Sequence, residues 1–391
     1  MRRGWISLCC LAVFSAAAAL AAKGAGSPDA GPSLEYRPPR PVLPEPKGPT
    51  PAPPVTIFRE SFGSFGIGKG SFDKPIDVAL GANGRIYVLD AGNNRVQVFN
   101  KNNDFVLEWG SYGTDESRCE FKNPSAIAVI PDLQVDCANA SAGTCEVIVV
   151  VDTGNNRIQF FRVPVTRDPL EKLPNFPCGH VNSIFHSFLP DSLSGSHGSL
   201  GEYGIGYGRF DRPLDITFGE DGSLWILDAG NERIQNFPIG YDRTKNLTIG
   251  TISEISNLSG ARGNLKGLVS LAWSQEGSFN YLYLLGTGCS IQKFKLFNLP
   301  VLDETWPAVA PESGLCVPAR VRYDSKKEYV YVLDSGNSLL SIFHRSGNFI
   351  SAMRGADRTF DAPRGFTFRP ESGEFAVADT GNDLVQKFTQ R

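Results

Sequence analysis

The sequence predicts an all-β fold, a six-bladed β-propeller closed by an N-terminal strand, and three observations lead there. A fourteen-residue frame recurs six times, ending at Phe99, Phe161, Phe237, Phe294, Phe343 and Phe388. Strands inside the frame, such as Ile86-Tyr87-Val88-Leu89, are apolar on both alternating faces, so their sheets need cover on both sides. The 391 residues include 41 Gly, 27 Pro and 26 Phe but only 2 Met, with 20% charged, a profile of tight turns and short aromatic strands. A propeller sandwiches each small sheet between its neighbours and so meets the demand for two-sided burial.

The chain opens with Arg2 and Arg3, an uncharged Ala-rich run from Trp5 to Ala22 and then Lys23, the order of a secretory signal peptide over 1–22. The competing reading is an uncleaved signal anchor, which would make a type II membrane protein. Once the leader is cut, no transmembrane span is expected. Residues 23–54 read as a Pro-rich, disordered linker, because proline removes a donor and fixes φ. The propeller is assigned to 55–391. Its last repeat stops at Arg391, three residues after Phe388, one strand short of a full sheet, and the segment Thr56 to Phe65 is expected to supply the missing edge.

Each repeat reads as four strands. The first follows an aromatic-x-x-Pro signal: Phe72 with Pro75, Phe121 with Pro124, Phe210 with Pro213, Phe360 with Pro363, and Pro318 alone in the fifth copy. The second ends at an Asp, the third at the frame Phe, and the fourth resembles Phe105 to Trp109. Asp90, Asp152, Asp228, Asp334 and Asp379 are structural turn residues, expected to accept from the amides that follow while the nearby Gly supplies a positive φ. One carboxylate per blade is too far from the next to share a cation. Arg95, Arg157 and Arg233 are expected to pack against their Asp or the adjacent blade. The segments Gly66 to Gly70 and Gly204 to Gly208 lack P-loop spacing and read as loops joining repeats.

The stretch Phe72-Asp73-Lys74-Pro75, the strand to Asp90, and Gly92-Asn93-Asn94-Arg95-Val96-Gln97-Val98-Phe99 resembles the NHL repeat. The likeness runs from about Phe58 to Arg391. Departures are Leu285 and Thr287 in the fourth copy and Leu339 and Leu384 where the Arg would stand. The resemblance implies a six-bladed propeller used as a platform for proteins or single-stranded RNA. It also brings in a secreted branch, the peptidyl-amidating lyase, whose zinc is held by histidines on separate blades. Here His180, His186 and His197 share one insertion, and His344 follows a frame Phe on a loop. A calcium centre would use inward acids such as Asp77 and Asp215, but Ala126, Ser270, Val321 and Gly365 do not continue the set. No cofactor or metal is therefore expected. The net charge of -3 gives no general attraction for a phosphate backbone, and no nucleic acid partner is expected.

Outside the leader six cysteines remain, an even set that argues for disulfides in an exported chain. Cys289 occupies the Asn94 position of its repeat, and Cys316 lies just before the fifth Pro, so these two are expected to pair. Cys137 is assigned to Cys145, and Cys119 to Cys178. Asn139, Asn246 and Asn257 fit the glycosylation acceptor pattern. The insertion at about 164–207 is the least repetitive stretch, and Phe176, Phe185, Phe188 and Tyr203 are its candidate partner contacts. Together these features lead to the expectation of a secreted or surface-associated scaffold, not an enzyme, that binds an extracellular or membrane protein. A metal-dependent lyase-like or lactonase-like enzyme is the alternative.

Overall fold

A computed structural model describes residues 52–136, 144–165, 199–219, 221–241, 247–256, 263–296, 300–308, 316–356 and 359–391. The leader over 1–22 and all but the last three residues of the Pro-rich linker lie outside them. Among the described residues no helix is long and apolar enough to cross a membrane.

Six antiparallel sheets account for the frame. Blade 1 consists of Pro75–Leu80, Ile86–Asp90, Arg95–Phe99 and Phe105–Trp109, and blade 2 of Ala126–Asp136, Thr144–Asp152, Arg157–Pro164 and the short Ser199–Leu200. In blade 3, Pro213–Phe218, Ser223–Asp228 and Arg233–Tyr241 are followed by two outer pieces, Leu247–Ile249 and Ser253–Ile255, that both pair with the third strand. Blade 4 runs Leu268–Glu276, Phe279–Gly286, Ser290–Leu296, Val301–Pro307, and blade 5 Pro318–Asp324, Tyr329–Asp334, Leu339–His344, Phe349–Met353. Blade 6 contains Gly365–Arg369, Glu374–Asp379 and Leu384–Gln390, and its outer strand is Thr56–Phe62, which pairs from Thr56 opposite Gln390 to Phe62 opposite Val385. The first strand of every blade touches the first strands of the blades before and after it, and blade 6 returns to blade 1, so the ring closes.

The core is divided among the junctions. One apolar cluster fills each of the six gaps between blades, as two-sided strands require. At the closing gap, Phe62 from the N-terminal strand lies 4.9 Å from Phe99 and 6.2 Å from Phe72, with Phe72 and Phe99 themselves 5.7 Å apart and edge-on. The aromatics that precede the Pro signal, Phe72, Phe121, Phe210 and Phe360, are all buried. Fully burying one such side chain is worth about 1.5–3 kcal/mol.

The turn after each Asp works differently from the sequence expectation. Asp90 Oδ1 accepts from the amide of Asp73, 2.8 Å away in the loop leading into the blade, and Asp152, Asp228 and Asp379 take the equivalent amides of Lys122, Asp211 and Asp361 at 2.7 Å. The second oxygen accepts from side chains of the same blade: for Asp90 these are Asn93 at 2.9 Å, Arg95 at 2.7 Å and Gln97 at 3.3 Å. Only Asp334 also takes the expected turn amides, from Gly336 at 3.0 Å and Asn337 at 3.2 Å. Nor does the Gly carry the positive φ. That falls two residues later, on Asn94 (52°), Asn156 (54°), Glu232 (51°), Cys289 (54°), Ser338 (53°) and Asp383 (53°). Gly92 is needed for proximity: its amide donates to Asp73 O at 2.8 Å, and a Cβ there would sit 2.5 Å from the same oxygen. Blade 4 has Thr287 at this place and puts the glycine opposite, where Gly267 accepts from the Thr287 amide at 2.8 Å.

The left-handed residues reach forward to the next blade. Asn94 Oδ1 accepts from the Asn123 amide at 3.3 Å, Asn156 Oδ1 from Arg212 at 2.7 Å, and Asp383 Oδ1 from Lys74 at 2.8 Å, the last across the closing junction. Between blades 4 and 5 the same position is covalent, because Cys289 is bonded to Cys316 with Cα atoms 6.1 Å apart.

Candidate functional site

The lead-in loops of blades 1 to 3 form the first site. Arg95 Nε is bound to Asp90, its Nη1 donates to Ile67 O at 2.8 Å and Glu108 at 2.9 Å, and its Nη2 donates to Gly68 O and Ser71 O, both at 2.9 Å. Arg233 repeats the clamp on Ile205 O at 2.7 Å and on Gly206 O and Arg209 O at 2.8 Å. Arg157 holds Thr114 O at 3.0 Å and Glu120 O at 2.8 Å. The planar guanidinium is suited to this, since its five donors sit in a fixed fork.

Loops fixed by their carbonyls turn their side chains outward. Phe65 is 74% exposed, Ile67 83%, Tyr112 67%, Tyr203 70%, Ile205 83% and Tyr207 54%, and these are six of the ten large apolar residues exposed among the described residues. Phe65, Tyr112 and Tyr203 are structurally equivalent, each bridging to the buried Phe of its own lead-in: Phe72, Phe121 and Phe210. Blades 5 and 6 carry Leu339 and Leu384 opposite the turn Asp in place of Arg, and Leu265 in the lead-in of blade 4 is buried. Exposed aromatic and aliphatic side chains on a rigid scaffold are the usual material of a docking surface.

The axis holds the second constellation. Two residues after the Pro of blades 1, 3 and 5 stand Asp77, Asp215 and Arg320, while blades 2, 4 and 6 place the small Ala126, Ser270 and Gly365 there. Arg320 Nη1 is 2.7 Å from Asp215 Oδ1 and its Nη2 is 3.2 Å from Asp77 Oδ2, so three alternate blades are tied across the centre. Arg322 adds a contact of 3.1 Å to Asp215. Gly365 has no room for a side chain, since a Cβ would lie 2.3 Å from Asp77 Oδ1. Burial raises both carboxyls; at Asp215 the two guanidiniums and the Ser270 hydroxyl outweigh it and hold the group low, whereas Asp77 stays above the ordinary range. The fifth blade thus presents Arg320 to the axis rather than Val321. The two acids weighed for calcium are neutralised by guanidinium, and a cation beside them would meet two positive charges.

Of the other expected residues, Cys119 is buried and disulfide-bonded. Cys137 and Cys178 lie outside the described residues, as do the side chain of Cys145, the acceptors Asn139, Asn246 and Asn257, the aromatics Phe176, Phe185 and Phe188, and His180, His186 and His197. His344 contacts Ser346 through Nδ1 at 2.7 Å. Tyr203 belongs to the regular lead-in of blade 3, which starts after Ser199–Leu200, so the inserted stretch ends before the expected boundary at 207.

Frame, ring and clamp define a six-bladed β-propeller built from repeats. A model of the NHL repeat matches residues 72–99, which lie in the lead-in and first three strands of blade 1. It is 38% identical over 71 residues to mouse NHL repeat-containing protein 3, a match covering 18% of this chain and 19% of the relative. It is 26% identical over 203 residues to mouse peptidyl-glycine alpha-amidating monooxygenase, covering 46% of this chain and 19% of that protein. The aligned stretches therefore span about a fifth of these relatives' length. Among solved structures, the PQQ-bound aldose sugar dehydrogenase of Streptomyces coelicolor superposes with a TM-score of 0.52 at 11% identity, over 88% of this chain and 100% of that one, a likeness of fold alone.

Proposed function

We propose that this chain is a non-catalytic protein-interaction scaffold whose partner, an extracellular or membrane-anchored protein, docks on the lead-in loops of blades 1 to 3. The observation that carries the reading is the coincidence of clamp and display: each of the three blades that retain the Arg exposes an aromatic at the Phe65 position. Loops held by buried ion pairs lose little entropy on binding, which favours affinity. Export is supported by the leader-like first 22 residues and the even cysteine set.

A photo-crosslinking amino acid placed at Ile67 or Ile205 tests this, with Val301 on the outer strand of blade 4 as an exposed control. A partner captured from the loop positions, absent from the control and lost in the triple variant Phe65→Ala, Tyr112→Ala, Tyr203→Ala, is the expected result. Equal capture from all positions, or capture indifferent to the triple variant, would overturn the proposal. The three side chains are exposed, so the variant retains its stability to within about 0.5 kcal/mol per site.

A further inference from the structure

A cavity of about 680 Å³ lies at the ends of the inner strands away from the lead-in loops. Pockets for small molecules span about 300–1,000 Å³. Its walls mix polar and apolar groups, and the apolar part comes from the ends of the inner strands, including Leu80, Val129, Ile130, Ile216, Phe218 and Phe368. Four charged residues line it, and three are already matched. Glu146 accepts from the Tyr87 hydroxyl and from the Ala82 amide at 2.7 Å, with Arg85 3.6 Å away. Arg369 is bound to Glu374 at 2.6 Å and to Gly81 O, and Glu371 faces Lys326 at 3.4 Å.

Arg322 is different. Its Nη1 and Nη2 reach Asp215 Oδ2 at 3.1 Å and Oδ1 at 3.4 Å, and Nη1 also donates to Val321 O at 3.0 Å, but its Nε donates to no group among the described residues. Its side chain is 18% exposed and lines the cavity. A guanidinium with an N–H to spare in a cavity wall calls for an acceptor, and charge-assisted bonds to carboxylate are the strong ones. The acids Glu146 and Glu371 in the same lining disfavour a second negative charge. We propose that the axial cavity binds a small apolar monocarboxylate, its carboxylate on Arg322 and its hydrocarbon body along the strand ends. This goes beyond the scaffold reading and uses the opposite end of the ring.

The test is calorimetric titration of the purified full chain with decanoate, decanol and decanedioate. Decanoate should bind one per chain, at least tenfold more tightly than the alcohol or the diacid. Ala128→Phe, which adds bulk at a lining position on blade 2, should abolish binding. Arg322→Gln should weaken decanoate at least tenfold and leave decanol unchanged; if that variant does not fold, Ala128→Phe decides. The triple loop variant should bind decanoate like the parent, separating this site from the docking face. Equal affinity for acid and alcohol, decanoate binding that survives Ala128→Phe, or no binding at millimolar decanoate would overturn the proposal.

Discussion

Replacing Arg320 by Met removes the central tie between blades 1, 3 and 5 and keeps most of the hydrophobic bulk. Asp77 and Asp215 are both fully buried, so the variant leaves two carboxylates to share Arg322, which lies 4.0 Å from Asp77 and 3.1 Å from Asp215. Breaking a buried ion pair by removing one partner costs about 3–5 kcal/mol. For a body of about 340 residues the unfolding entropy is about 0.7 kcal/mol per kelvin, so the melting temperature at pH 7 should fall by about 4–7 °C. The loss should depend on pH. Asp77 already titrates above its unfolded value because of burial, and with one guanidinium fewer it should rise further. A carboxyl raised in this way contributes stability below its unfolded value and loses it as pH climbs through the folded value. Asp215 is held low, and its contribution is present above the unfolded value and disappears as pH falls through the folded one. Both effects make the gap between parent and variant widest near neutrality and narrower at pH 4.5. Calorimetric melts of both proteins at the two pH values measure it. A gap of the same size at each pH, or a variant as stable as the parent at pH 7, would refute the electrostatic account of the axis.

Two further outcomes test the turn chemistry. Replacing Cys289 and Cys316 together by Ser opens a crosslink between residues 27 apart, which by loop entropy is worth about 3–4 kcal/mol, so an oxidised sample should melt about 4–6 °C lower; an unchanged melt would show that blades 4 and 5 are held by other contacts. Gly92→Ala should cost about 2–3 kcal/mol because its Cβ meets the Asp73 carbonyl, whereas Gly288→Ala, with nothing within 4 Å, should be near neutral. Chemical denaturation of the pair checks this, and equal losses would count against the close-approach role of Gly92.

The Phe frame, the Pro signal and the closing strand were legible because each reflects a burial or donor rule that acts locally. Cys289 could be placed from its frame position alone. The role of the turn glycine was not legible, since positive φ and close approach both favour Gly, and only the distance to Asp73 separates them. Arg320 escaped because the frame was aligned on Val321; counting two residues from each Pro brings Asp77, Asp215 and Arg320 into one column. The exposed aromatics carry no periodic burial signal, yet Ser64-Phe65-Gly66, Ser111-Tyr112-Gly113 and Glu202-Tyr203-Gly204 align once the clamp is known.

The strand Thr56–Phe62 meets its partner only after more than three hundred intervening residues, with Thr56 opposite Gln390. Contacts of such sequence separation slow folding, because the ordering they require precedes their reward. During synthesis, the earliest strand of the ring has no mate until the final repeat has left the ribosome. Its hydrogen-bonding groups stay open to stray pairing for that interval, so maturation of the ring is gated by the arrival of its sixth repeat.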